Sequence, residues 1–185
     1  MALLTLAEAK AQLDIDTTTD DVELQVYVDA LTAAIERHVG PVEDREVTEV
    51  IDGRGTAVCV TQVPVISVTS LTPLLAGGAA LETGDLAVDK DAGVIRRTDG
   101  GSFSGGPWTA VYEAGRGGIP PTINLAARIL LQHLWRTQYG ASRGLSGVGG
   151  GEDYSVTEPI PGWGYAIPNR VLQLLEPYKV PPGVA

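Results

Sequence analysis

The hydrophobic period changes twice along this chain, and those two changes leave few architectures open. Up to about residue 45, apolar residues recur every three or four positions, the repeat of a helix with one buried face. From Glu46 to residue 114 they come as short β-branched runs cut by Gly, Asp and Pro. These are Val47, Val50 and Ile51, then Ala57-Val58-Cys59-Val60, Val63-Pro64-Val65-Ile66-Ser67-Val68, Leu86-Ala87-Val88, Val94-Ile95-Arg96 and Trp108-Thr109-Ala110-Val111-Tyr112. Runs of that kind at that spacing predict about six strands in an antiparallel sandwich or barrel. After Gly117-Gly118-Ile119-Pro120 the helical repeat returns. The expected fold class is α+β, with a helical core from residues 1–45 and 115–185 and an antiparallel β-module inserted at 46–114. A chain of 185 residues, 44% of them hydrophobic, has material enough for such a core.

Local signals place the helices. Thr5-Leu6-Ala7-Glu8 is a capping box, in which the Thr5 hydroxyl and the Glu8 carboxylate satisfy each other's backbone amides. The helix it opens should reach Leu13, and Asp14 to Thr19 should break it, because such residues bond their own backbone. Thr19 or Asp20 then caps a second helix to about Val39, with Leu24, Val28, Leu31 and Ile35 as its buried stripe and Gly40-Pro41 as its stop. Pro121 suits the first turn of a third helix, with Ile123, Ala127, Leu130 and Leu134 on one side. Ile129, Leu131 and Trp135 widen that stripe almost all round, which predicts a central helix packed on several sides, about 19 residues and roughly 28 Å long. Gly140 to Ser155 holds six glycines and three serines and reads as a flexible arm. A last short helix begins at Pro168, carries Val171, Leu172, Leu174 and Leu175, and ends at Pro177.

The charge is unevenly spread. Residues 1–52 hold thirteen Asp and Glu against Lys10, Arg37 and Arg45, so the whole net charge of −10 lies in that third of the chain. Such a block repels phosphate and opposes nonspecific DNA binding. Its bland role is a solvated face. Its sharper role is a surface kept clear of DNA. No run approaches 18 apolar residues, so no membrane span is expected. Met1-Ala2-Leu3-Leu4 has neither a basic nor a long apolar region, so no secretory signal is expected.

Chemistry-bearing motifs are scarce. Asp14-Ile15-Asp16-Thr17 follows a helix, whereas a carboxylate nucleophile of a phosphoryl-transfer loop needs a buried strand before it; helix capping is the expected role. As a calcium loop the same stretch has Thr19 where glycine is needed and Gln25 where the bidentate glutamate belongs. Gly115-Arg116-Gly117-Gly118 precedes a helix without the Gly-Lys-Ser/Thr of a phosphate cradle and reads as a turn. Cys59 is the only cysteine, and His38 and His133 are the only histidines, too few for a cysteine- or histidine-rich metal centre. Neither an enzyme nor a cofactor is expected.

A resemblance gives these pieces a context. Leu13-Asp14-Ile15-Asp16, the acid-capped helix with Ala33-Ala34-Ile35-Glu36 and the Gly40-Pro41 stop resemble the opening of the head–tail connector (adaptor) family of long-tailed phages. The helix from Ile123 to Gln138 and the segment Pro161-Gly162-Trp163-Gly164-Tyr165-Ala166-Ile167-Pro168-Asn169-Arg170 are similar to the same family. The β-module is larger than the short connection of minimal all-helical members. The resemblance implies a structural virion protein in the neck: a ring of twelve copies beneath the portal and above the next neck or tail-completion protein, with DNA passing through unbound. It implies partner or subunit contacts at Trp135, Arg136, Trp163, Tyr165 and Arg170, and a DNA channel faced by the carboxylates of Asp20, Asp21, Glu23 and Asp29. The competing reading is a carbohydrate- or surface-binding β-module on a helical support, with Phe103, Trp108 and Tyr112 as stacking aromatics.

Overall fold

The computed structural model describes residues 2–53, 55–75, 79–136 and 167–180. The chain forms two compact units, one from Ala2–Ile35 with Pro121–Pro177 and one from Glu36–Pro120 with the segment from Tyr178 onward.

In the helical unit, α1 (Leu6–Leu13) starts at the capping box read from the sequence: the Glu8 amide donates to Thr5 Oγ1 at 3.2 Å and the Thr5 amide donates to Glu8 Oε2 at 2.9 Å. Asp14 ends it in the left-handed region at φ 55°, a conformation that short Asp side chains tolerate better than most. Helix α2 (Asp21–Val39) buries Leu24, Val28, Leu31 and Ile35, the stripe its period predicted. Helix α3 (Pro121–Leu134) packs against α1 and against α4 (Asn169–Leu175), burying Ile123, Ala126, Ala127, Leu130 and Leu131. Here the expectation fails in one respect. Leu125 is 46% exposed and Ile129 only half-buried, so α3 is buried on one face and not all round. The sequence counts apolar residues, but the described neighbours of α3 cover one side of it. Its regular part is 14 residues long and continues as a π-turn to Arg136. The glycine-rich arm expected at 140–155 lies outside the described residues.

Polar bonds tie this unit across long sequence separations. Asn124 Nδ2 donates to the Leu3 carbonyl at 3.0 Å, and Arg128 donates to Asn124 Oδ1 at 2.8 Å and to Glu8 Oε1 at 2.7 Å. The hydrogen bonds from Thr5, and then Arg128, hold the Glu8 carboxyl below its ordinary pKa.

The other unit carries six strands, as the short apolar runs predicted. They are β1 (Arg45–Ile51), β2 (Ala57–Cys59), β3 (Val65–Pro73), β4 (Leu86–Asp89), β5 (Val94–Arg97) and β6 (Trp108–Ala114). They form two antiparallel three-stranded sheets, ordered β1-β6-β3 and β2-β5-β4. Central β6 alternates strictly: Trp108, Ala110, Tyr112 and Ala114 are buried, and the residues between them are half-exposed. Those four join Ile51, Val58, Val60, Val63, Val65, Leu71, Ile95 and Phe103 in one core drawn from both sheets. The β4–β5 turn needs Gly93 twice over. It adopts φ 67°, and a Cβ there would fall 2.3 Å from Val63 Cγ1.

Candidate assembly surfaces

The densest polar networks in the β-rich unit lock its own backbone. The Arg116 guanidinium donates to the carbonyls of Val39 at 2.6 Å and Tyr178 at 3.0 Å and lies over the Tyr178 ring, 5.2 Å from its centroid. The amides of Arg116 and Gly117 donate to Asp44 Oδ1 at 3.1 and 2.9 Å. Burial pushes the Arg116 pKa down. One side chain thus fastens the end of α2, the β6–α3 connection and the segment after α4. Glu49 does the same for the strands: Oε1 accepts from the Thr61 amide at 2.8 Å and from the Tyr112 hydroxyl at 3.0 Å, while the Thr61 hydroxyl bonds Oε2. Tyr112 Oη also accepts from the Gln62 amide at 3.1 Å. Burial first, and the Glu49 carboxylate second, push the Tyr112 phenol up to about 12. Apart from Arg116 Nε, the polar side-chain groups named in these two networks are taken up by backbone or side-chain partners of the same unit.

The sugar-stacking reading loses its aromatics. Phe103, Trp108 and Tyr112 are each 3% exposed or less, and Phe103 meets Trp108 edge to face at 5.9 Å. Trp108 and Tyr112 are core residues because β6 turns alternate side chains inward, and Phe103, in the segment before that strand, packs on the Trp108 ring. Two surface depressions among the described residues, one beside Asn169, Leu172, Gln173 and Glu176 and one beside Pro64–Ile66, Lys90, Asp91 and Gly115–Gly117, are both open to solvent.

The residues singled out from the sequence are scattered. Trp135 is buried and meets Tyr27 edge to face at 5.5 Å, so its ring packs within its own unit and is not presented to a partner. Arg136 is exposed at the end of α3, and Arg170 is exposed in the first turn of α4. Trp163 and Tyr165 lie outside the described residues. Asp21 is paired with Lys10 at 2.6 Å, Asp20 and Glu23 are half-buried, and exposed Asp29 accepts from Gln25 Nε2 at 2.7 Å. Asp14 caps α1, the role its motif suggested.

One surface was missed. Opposite its buried stripe, α2 carries a second apolar line, Val22, Val26, Ala30 and Ala33, all of it exposed; Val22 is 83% and Val26 64% accessible. Its spacing of 4, 4 and 3 was visible in the sequence and is as regular as that of the buried stripe. Which of the two lines is covered depends on where α2 meets the rest of its unit. Asp29 and Arg37 flank the exposed line.

No curated protein matches this sequence. Solved structures do match in fold. The neck of an empty gene transfer agent (GTA) particle computed with C6 symmetry aligns with a TM-score of 0.65 at 19% identity, over 99% of this chain and 92% of that one. The neck of a native GTA particle computed with C12 symmetry aligns with a TM-score of 0.63 at 19% identity, over 97% and 90%. A chain of the native GTA virion aligns with a TM-score of 0.60 at 18% identity, over 99% and 92%. At these identities the likeness is one of fold, and it includes the β-module as well as the helices. The model of the head completion protein family matches residues 2–180, nearly the whole chain, and the chain therefore belongs to the head completion protein family.

Proposed function

We propose that this protein is a head–tail connector subunit: twelve copies form a ring in the virion neck, beneath the portal and above the next neck or tail-completion protein, and DNA passes through the ring. The observation that carries the reading is the whole-chain likeness, helices and strands together, to neck proteins of particles computed with C12 and C6 symmetry, alongside family membership over residues 2–180. The role is structural, not catalytic, which is what membership of a head completion family supports.

The charge distribution fits a conduit. Lysine and arginine on a channel wall would bind phosphate and retard the duplex, whereas an acidic wall leaves it free to move. Asp20, Asp21 and Glu23, at the start of α2, are the carboxylates we assign to the channel, with Lys10 offsetting Asp21. Asp29 belongs to the face of Val22 and Val26. Native mass spectrometry and negative-stain imaging of the purified protein, alone and mixed with its portal, test the reading. Closed rings stacked coaxially on the portal are the expected result. A protein that stays monomeric in both conditions would refute it.

A further inference from the structure

We infer that neighbouring subunits join through the helical unit, the outward face of α2 on one copy seated against the outward face of α3 and the start of α4 on the next. The inference rests on the ring reading above and names the surface that would close the ring. A cyclic ring needs a heterologous contact, two different patches on each subunit that complement each other. The helical unit offers such a pair. The α2 patch is Val22, Val26, Ala30 and Ala33 with the Asp29 carboxylate beside them. The α3 patch is Leu125, Ile129, Gln132 and Arg136, spaced 4, 3 and 4 along one face, with Leu125 46% exposed, Ile129 and Gln132 half-buried and Arg136 exposed. Arg170 adds a second exposed cation from α4. The α2 row is apolar throughout, with Asp29 beside its middle and Arg37 beyond its end, and the α3 row runs from apolar Leu125 and Ile129 to Arg136, so the charge pairing on offer is Asp29 of one copy with Arg136 or Arg170 of the next. Of the six large apolar side chains most exposed in the described chain, three (Val22, Val26 and Leu125) lie on these two patches. Apolar surface exposed in regular rows along helices is what an obligate partner covers.

The test uses the full chain. Val22→Ser with Val26→Ser should fold normally, because both positions are exposed, and should raise the protein concentration for half-assembly by at least about tenfold. Asp29→Arg should also weaken the ring, and combining it with Arg136→Asp and Arg170→Asp should restore it. In a Cys59→Ser background, Val26→Cys with Leu125→Cys should give, on oxidation, a ladder of covalent oligomers. A wild-type protein that forms no ring refutes the ring reading and this contact with it. A wild-type ring that the double serine variant forms equally well refutes this contact alone. So does oxidation of Val26→Cys by itself into covalent dimers, since α2 would then meet its own copy across a two-fold axis.

Discussion

Arg116→Met removes a side chain that joins two segments of the β-rich unit far apart in sequence. Methionine keeps the unbranched apolar stem but removes both guanidinium hydrogen bonds, leaving the Val39 and Tyr178 carbonyls to find water. Two bonds from a charged donor contribute about 1.5–3 kcal/mol each, and the contact with the Tyr178 ring about 0.5–1 kcal/mol more. Against that, Arg116 Nε is buried without a hydrogen-bond partner, a cost of about 1–3 kcal/mol that the variant relieves. The net destabilisation should be about 2–4 kcal/mol, which for a chain of this size lowers the thermal midpoint by roughly 5–15 °C. The loss should also be local. By hydrogen exchange, the amides of Tyr178 to Val180 should lose protection before those of β6, because Arg116 is what fastens that segment to the end of α2. Arg116→Lys should recover only part of the stability, since an ammonium does not present the planar fork that reaches two carbonyls at once. A methionine variant that melts within about 1 °C of the parent, or one whose residues 178–180 exchange unchanged, would show that these bonds are exchanged for water without loss.

Further outcomes follow from single observations. Leu130→Asp puts a carboxylate into a site 2% exposed, at a cost of several kcal/mol against a total of roughly 5–15, so soluble expression should be lost; a folded, soluble variant would mean that this face of α3 is not core. Gly40→Ala and Gly117→Ala both demand a positive φ, but a Cβ at Gly40 meets the Val63 carbonyl oxygen at 2.0 Å while Gly117 faces open space. Chemical denaturation should therefore find about 1–2 kcal/mol lost at Gly117 and a much larger loss at Gly40, and equal losses would contradict the geometry. Because the folded state holds the Tyr112 proton up to about 12 while an unfolded tyrosine releases it near 10, the stability tied to that proton is complete below pH 10 and lost between pH 10 and 12; Tyr112→Phe should flatten that alkaline decline, and an unchanged profile would refute the assignment. Replacing Asp20, Asp21 and Glu23 with lysine should slow DNA ejection from particles that assemble, with relief by added salt; normal ejection at low salt would exclude these residues from the channel.

What the sequence determined was the local geometry of each element. The Thr5–Glu8 capping box, the Leu24-Val28-Leu31-Ile35 stripe, the Gly40-Pro41 stop, the helix opened by Pro168 and six short strands between Glu46 and residue 114 all rest on bonds and periods a few residues long, which a linear reading contains. What only the tertiary structure decided are relations between residues far apart. Arg116 reads as part of a glycine-rich turn, and its role appears once Val39 and Tyr178 are brought within hydrogen-bond distance of it. Glu49 and Tyr112 read as one surface acid and one stacking aromatic until β1 and β6 pair and bury the ring. Trp135 reads as a partner contact until Tyr27 arrives against it. The two apolar lines of α2 are the sharpest case. Their spacings are equally helical; the line of larger residues, Leu24, Val28, Leu31 and Ile35, was legible as the buried one, and the packing of the whole unit decided that the second line, with Val22 and Val26, stays in water.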